Sequence, residues 1–137
     1  MKKIAIAFSL MLGLTANVNA MPQGGAEVGK TKSLTCGACH GADGNSMIPA
    51  NPKLAGQSAA YLFKQLQDFK AAATGGDGRK SAVMGAMSLA LSEQDMADLA
   101  AYFASQEAKP GATPEDVIAK GKKLYNGGDA KNGITAC

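Results

Sequence analysis

Residues 36–41 read Cys-Gly-Ala-Cys-His-Gly, "CGACHG", and hold two of the chain's three cysteines together with its only histidine. Three chemistries use cysteines at this spacing: thiol–disulfide exchange, zinc binding and covalent attachment of haem. A structural zinc site needs four ligands, commonly two from each of two knuckles. Cys36, Cys39, His40 and the distant Cys137 are the whole supply of Cys and His ligands, and the adjacent Cys39 and His40 project in different directions. A thiol oxidoreductase places C-x-x-C at a helix N-terminus beside a βαβ unit, where the thiolate pKa is lowered. The sequence around this motif predicts no strand. The motif instead ends a short helix that begins in the Gly- and Lys-rich segment 23–35, with its apolar Val28 and Leu34.

The 137 residues allow one domain, or one domain and a fragment. Residues 1–20 read as a secretory signal peptide: Lys2 and Lys3 are followed by an apolar run over 4–14, then by Val18-Asn19-Ala20 ahead of a cleavage expected before Met21. That run is too short to cross a bilayer, which takes about 20 residues. The mature chain is therefore expected in an oxidising compartment with no membrane span of its own. Removing Lys2 and Lys3 from the 14 Lys and Arg leaves 12 against 11 Asp and Glu, a net charge of +1. No nucleic-acid partner is implied by that balance. Trp is absent, and only three Phe and three Tyr remain after residue 20. So small a domain with so few large side chains buries too little apolar area by itself. Something other than side chains is expected to fill the core.

Downstream, residues 41–57 are crowded with Gly, Pro and Asn and predict an irregular loop. A helix is predicted from Ser58 to about Ala72, with Leu62, Leu66 and Phe69 as its apolar stripe and Tyr61 and Phe63 flanking it. The segment 74–80 ends it. Ser92 with Asp95 three residues on is close to a capping box, and Met96, Leu99, Ala100 and Phe103 follow on one face of a helix ending near Gln106. After a linker, Thr113 with Pro114 at the first helical position opens another helix carrying Val117, Ile118, Leu124 and Tyr125. The fold class is all-α.

Haem attachment uses every residue of the motif. Two thiols three apart add across the two vinyl groups of haem, and His40 is carried under the iron; C-x-x-C-H is the signature of that attachment. Export supplies the compartment where it occurs, and a haem supplies the missing core. An iron held by His40 and meant to shuttle electrons wants a second strong axial ligand, and Met raises the reduction potential while closing the site. Met21 is terminal in the mature chain, Met47 is close to His40 in sequence, and Met96 lies on an apolar helical stripe where methionine is ordinary core. There remains "AVMGAM", 82–87, taken as a loop before the Ser92 helix, in which the small Gly85 and Ala86 permit close approach of Met84 or Met87.

These segments together resemble a class I c-type cytochrome, and specifically the first domain of the di-haem cytochrome c4 family. The resemblance rests on "CGACHGADGNS" (36–46), "NPKLAGQSAAYLFKQLQDFK" (51–70), "VMGAM" (83–87) and "LSEQDMADLAAYFASQ" (91–106), nearly all of 29–106. It implies a small helical domain wrapped around covalent haem c, with Cys36 and Cys39 as thioether anchors. It further implies His40 and Met84 as axial iron ligands, with Met87 the alternative, and the Pro52 carbonyl as acceptor for Nδ1–H of His40. Tyr102 and Phe103 are implied to pack the last helix of the domain on the first near Gly29.

"GKTKSLTC" (29–36) is echoed by "GKKLYNGGDAKNGITAC" (121–137), which resembles the opening of the family's second domain with Cys137 where its own motif would begin. A second haem is not possible with the residues present. The expected division is 1–20 signal peptide, 21–106 haem domain, 107–115 linker and 116–137 the start of an incomplete second domain; in a truncated protein, as against a fragment of a longer one, residues 112–137 would lack packing partners and be poorly ordered. Function follows as expectation: a periplasmic electron carrier rather than an enzyme, working between a membrane quinol-oxidising complex and a terminal oxidase or reductase.

Overall fold

The structure is a computed structural model and describes residues 21–111 and 113–137. The expected signal peptide lies outside the described residues. Six helices follow one another: α1 (Ala26–Lys32), α2 (Leu34–His40), α3 (Ala59–Ala73), α4 (Ala82–Leu89), α5 (Glu93–Ala104) and α6 (Glu115–Gly127). Among the described residues, β structure is limited to a single bridge between Asp129 and Ile134. The all-α expectation holds.

The domain is organised by the crossing of α1 on α5. Gly29 makes it close: a Cβ there would stand 2.0 Å from the carbonyl oxygen of Asp98 and 2.8 Å from Cβ of Tyr102. The crossing is then fixed by charge. Lys32 on α1 reaches Asp95 and Asp98 on α5, each at 2.6 Å, and Gly25 N–H donates to Asp98 Oδ1 at 2.8 Å.

Helix α5 starts where its sequence says. Ser92 Oγ accepts the Asp95 N–H at 3.1 Å, and Asp95 Oδ2 accepts the Ser92 N–H at 2.9 Å, a complete capping box. Its inner face contributes Met96, Leu99, Ala100, Tyr102 and Phe103 to the core, where Leu62 and Phe63 of α3 meet them. Each fully buried side chain of this size contributes about 1.5–3 kcal/mol. Phe63, expected at the margin of its stripe, is only 7% exposed, while Tyr61 is 47% exposed. The α3 contact surface is therefore wider than the stripe Leu62–Leu66–Phe69.

Residues 82–87 are helical, not a loop. Ser81 is extended and its Oγ accepts the Met84 N–H at 3.2 Å, which caps α4. The following residues include no Pro and are mostly good helix formers. Gly85 is where α4 lies on α3: a Cβ there would be 3.2 Å from Cβ of Ala73. Helix α6 begins one residue later than expected, because Pro114 is extended (ψ 141°) and caps the helix from outside. None of its residues is buried, and it packs on none of the other helices.

Candidate haem site

Helix α2 carries the motif. Gly41, with φ of 82°, ends it immediately after His40, and its N–H closes the last turn on the Gly37 carbonyl. Positions i+3 and i+4 flank position i on a helix, so Cys39 and His40 lie to either side of Cys36, about 100° from each other. Cys36 is half-buried and packs against the core, Cys39 is exposed, and His40 is buried at 6% exposure. No disulfide joins Cys36, Cys39 or Cys137 to one another.

Burial pushes the Cys36 thiol up from its ordinary value. That shift runs against the activated C-x-x-C of a thiol oxidoreductase, which depends on a lowered pKa. Among the described residues, no three His, Cys, Asp or Glu side chains gather as a metal-binding group, whereas a zinc site needs four ligands.

His40 Nδ1 lies 2.8 Å from the carbonyl oxygen of Pro52. A carbonyl only accepts, so Nδ1 carries the proton and Nε2 presents its lone pair. Such a partner fixes the ring and raises its basicity as a ligand. The loop bringing Pro52 there is tightly tied. Ser46 Oγ donates to the carbonyl of Cys39 at 3.1 Å, and Asn51 Nδ2 donates to the same oxygen at 3.0 Å. Leu54 and Ala55 N–H donate to the Gly44 carbonyl at 2.7 and 3.2 Å. Gly44 has φ of 75°, and a Cβ on it would stand 2.8 Å from the Ala55 nitrogen, so the turn requires glycine. Tyr102 OH donates to the Ala42 carbonyl at 2.8 Å and ties α5 to the same loop. Sequence reasoning missed Ser46 and Asn51. Their signal was the Asn and Ser content of 41–57, residues whose short polar side chains bond nearby backbone.

The methionines separate by position. Met96 is core at 2% exposure, Met47 is 92% exposed, and Met21 packs against the core. Met84 and Met87 lie on α4, whose Gly85 and Ser88 are buried. Met84 is partly buried, with its carbonyl accepting from Ser88 Oγ at 2.7 Å, and Met87 is 43% exposed. Helices α2 and α4 do not touch each other: α2 packs on α1, and α4 on α3. Apolar side chains stay exposed on both sides, Leu34, Met47 and Ile48 on and after α2, and Val83, Met87 and Leu89 on α4.

Residues 25–107 match the cytochrome c family. The chain belongs to that family. It is similar to cytochrome c4 of Stutzerimonas stutzeri, 46% identical over 141 residues, covering 100% of this chain and 66% of the relative. It is 43% identical over 88 residues to cytochrome c-554(548) of Halomonas halodenitrificans, covering 61% of this chain and 99% of that protein. The crystal structure of reduced recombinant cytochrome c4 from Pseudomonas stutzeri superposes with a TM-score of 0.73 at 48% identity, over 83% of this chain and 62% of that one. The chain thus spans just under two thirds of the cytochrome c4 sequence it matches, and its haem-domain residues are those of a c4-like cytochrome.

Family membership implies covalently bound haem c with its iron, and the residues present fit that group. Two cysteines one turn apart and outside any disulfide, a buried imidazole with Nδ1 occupied by a carbonyl, and apolar side chains left exposed on and after the same helix form the donor set and surroundings such a group takes.

Proposed function

We propose that this chain is a periplasmic one-electron carrier in which Cys36 and Cys39 would anchor haem c while His40 and Met84 would hold its iron. The observation that carries the reading is the 2.8 Å bond between Nδ1 of the buried His40 and the Pro52 carbonyl, on the helix that also holds the two thiols. Bound there, haem supplies a reversible one-electron Fe(II)/Fe(III) couple. The chain's own residues do the rest. Pro52 holds the imidazole in one orientation and one tautomer. Met84 is favoured over Met87 because it is partly buried and only roughly 40° around the helix from the buried Ser88, while Met87 lies roughly 100° from it. Apolar side chains of α2, α4 and the 41–57 loop would exclude water from the group, and the loop contacts around Pro52 would hold the His40 imidazole fixed.

No substrate is converted in this account, so the protein is a carrier and not an enzyme. Its redox partners are a membrane quinol-oxidising complex and a terminal oxidase or reductase. Among the described residues no helix is long and apolar enough to cross a membrane, in keeping with a carrier that moves between such partners.

The test is the visible spectrum of protein from a host able to attach haem, oxidised, reduced, then exposed to carbon monoxide. The reading predicts a haem c spectrum with the weak red-edge band of methionine on iron(III) and no response to carbon monoxide. A prompt carbon monoxide shift would mean an open sixth position and a ligand-binding or peroxidase chemistry.

A further inference from the structure

Residues 107–109, just beyond α5, lie along the 41–57 loop and are bonded to it on both sides of Pro52. On one limb, Asn45 is 7% exposed and uses both ends of its amide. Its Nδ2 donates to the Glu107 carbonyl at 2.9 Å, and its Oδ1 accepts the Lys109 N–H at 2.8 Å. The Lys109 ammonium reaches Asp43 Oδ2 at 2.6 Å. On the other limb, Lys53 Nζ donates to the Lys109 carbonyl at 2.7 Å. One short backbone stretch is thus gripped by residues 43, 45 and 53, and Pro52 lies between them.

The two limbs are also joined within the loop. The Gly44 carbonyl, one residue before Asn45, accepts from both Leu54 and Ala55. Wherever Asn45 is held, Gly44 follows, and with it the limb that presents the Pro52 carbonyl to His40. A buried amide whose polar ends both bond backbone is costly to break away, since each buried group left without a partner carries its full desolvation penalty.

We infer that Asn45 is a positioning residue for His40: by pinning residues 107–109 against the loop, it holds the Pro52 carbonyl on Nδ1 of the imidazole. The inference rests on the ligation of iron by His40 proposed above. It adds that the segment leaving the cytochrome fold is part of the haem site and sets the orientation of the axial imidazole.

His40 is the only histidine in the chain, so uniform nitrogen-15 labelling of the haem-loaded protein shows one imidazole together with the backbone amides. Exchange of its Nδ1–H with solvent is followed in the reduced, diamagnetic state, beside the amides of Leu99 and Ala100 in α5. In Asn45→Ala the His40 proton exchanges about tenfold faster or more, while the α5 amides stay within about twofold of the parent, the pattern of local opening. Asn45→Asp keeps the acceptor for Lys109 and loses the donor to Glu107, and falls between. Equal acceleration of His40 and α5 would show only a general loss of stability and overturn the inference, as would no acceleration. If Asn45→Ala does not accumulate with haem, Lys109→Met removes the Asp43 ion pair alone and is expected to speed the His40 proton about threefold; no change there overturns the inference equally. A parent imidazole undisplaced by the haem ring current would sink the ligation and the inference together. A displaced imidazole indifferent to Asn45 would sink only the inference.

Discussion

The Lys32 ammonium on α1 stands 2.6 Å from Asp98 Oδ2 on α5, and the Asp98 side chain is only 5% exposed. Asp98 also accepts from Gly25 N–H and Gln94 Nε2. The Gly25 N–H foremost, then Lys32, holds its carboxyl down at about 2, and Lys32 likewise holds Asp95 well below the usual carboxylate range. A carboxylate depressed in the folded state contributes stability that is complete above its unfolded pKa and is lost as pH falls through the folded one. The thermal midpoint is therefore expected to be flat from neutral pH to about 5 and to fall between about 4 and 2. Asp98→Asn lowers the midpoint at pH 7 and flattens that acid limb. A limb as steep as the parent's would show that this contact does not set acid stability.

The same crossing makes Gly29 irreplaceable. A Cβ at 2.0 Å from the Asp98 carbonyl cannot be absorbed by a side-chain rotation, because the obstructing atom is backbone. Gly29→Ala has to separate α1 from α5 and should cost about 3 kcal/mol or more in denaturant unfolding of the haem-loaded protein. A loss under about 1 kcal/mol would mean the helices part cheaply.

Much of this fold was legible because its signals are local. The Ser92–Asp95 capping box and the apolar spacing after it are written within a dozen residues, and α5 begins and packs as they predict. The C-x-x-C-H motif is equally local. Two readings needed the folded chain. Residues 82–87 are expected as a loop in sequence, whereas they form helix α4, which the missing side chain of Gly85 lets rest on Ala73 of α3. The Asn45 contacts join residues 62 and 64 apart in the chain. No periodicity or cap records such a pairing.

The two methionines of α4 give a direct test of the distal donor. Met84→Ala is expected to keep covalent haem, lose the red-edge band of the oxidised protein and gain a rapid carbon monoxide response when reduced. Met87→Ala, whose side chain is 43% exposed, should leave both properties as in the parent. The opposite pattern would transfer the ligand role to Met87.

The central claim is that Cys36 and Cys39 are spent on haem, and intact mass after alkylation tests it most directly. Protein produced in a host able to attach haem is reduced, denatured, treated with a thiol reagent and weighed, then digested. The account predicts one haem added to the chain, a 36–41 segment that carries it and takes no label, and label on Cys137 alone. Label on Cys36 and Cys39 with no added haem would contradict the account and return the motif to free thiols.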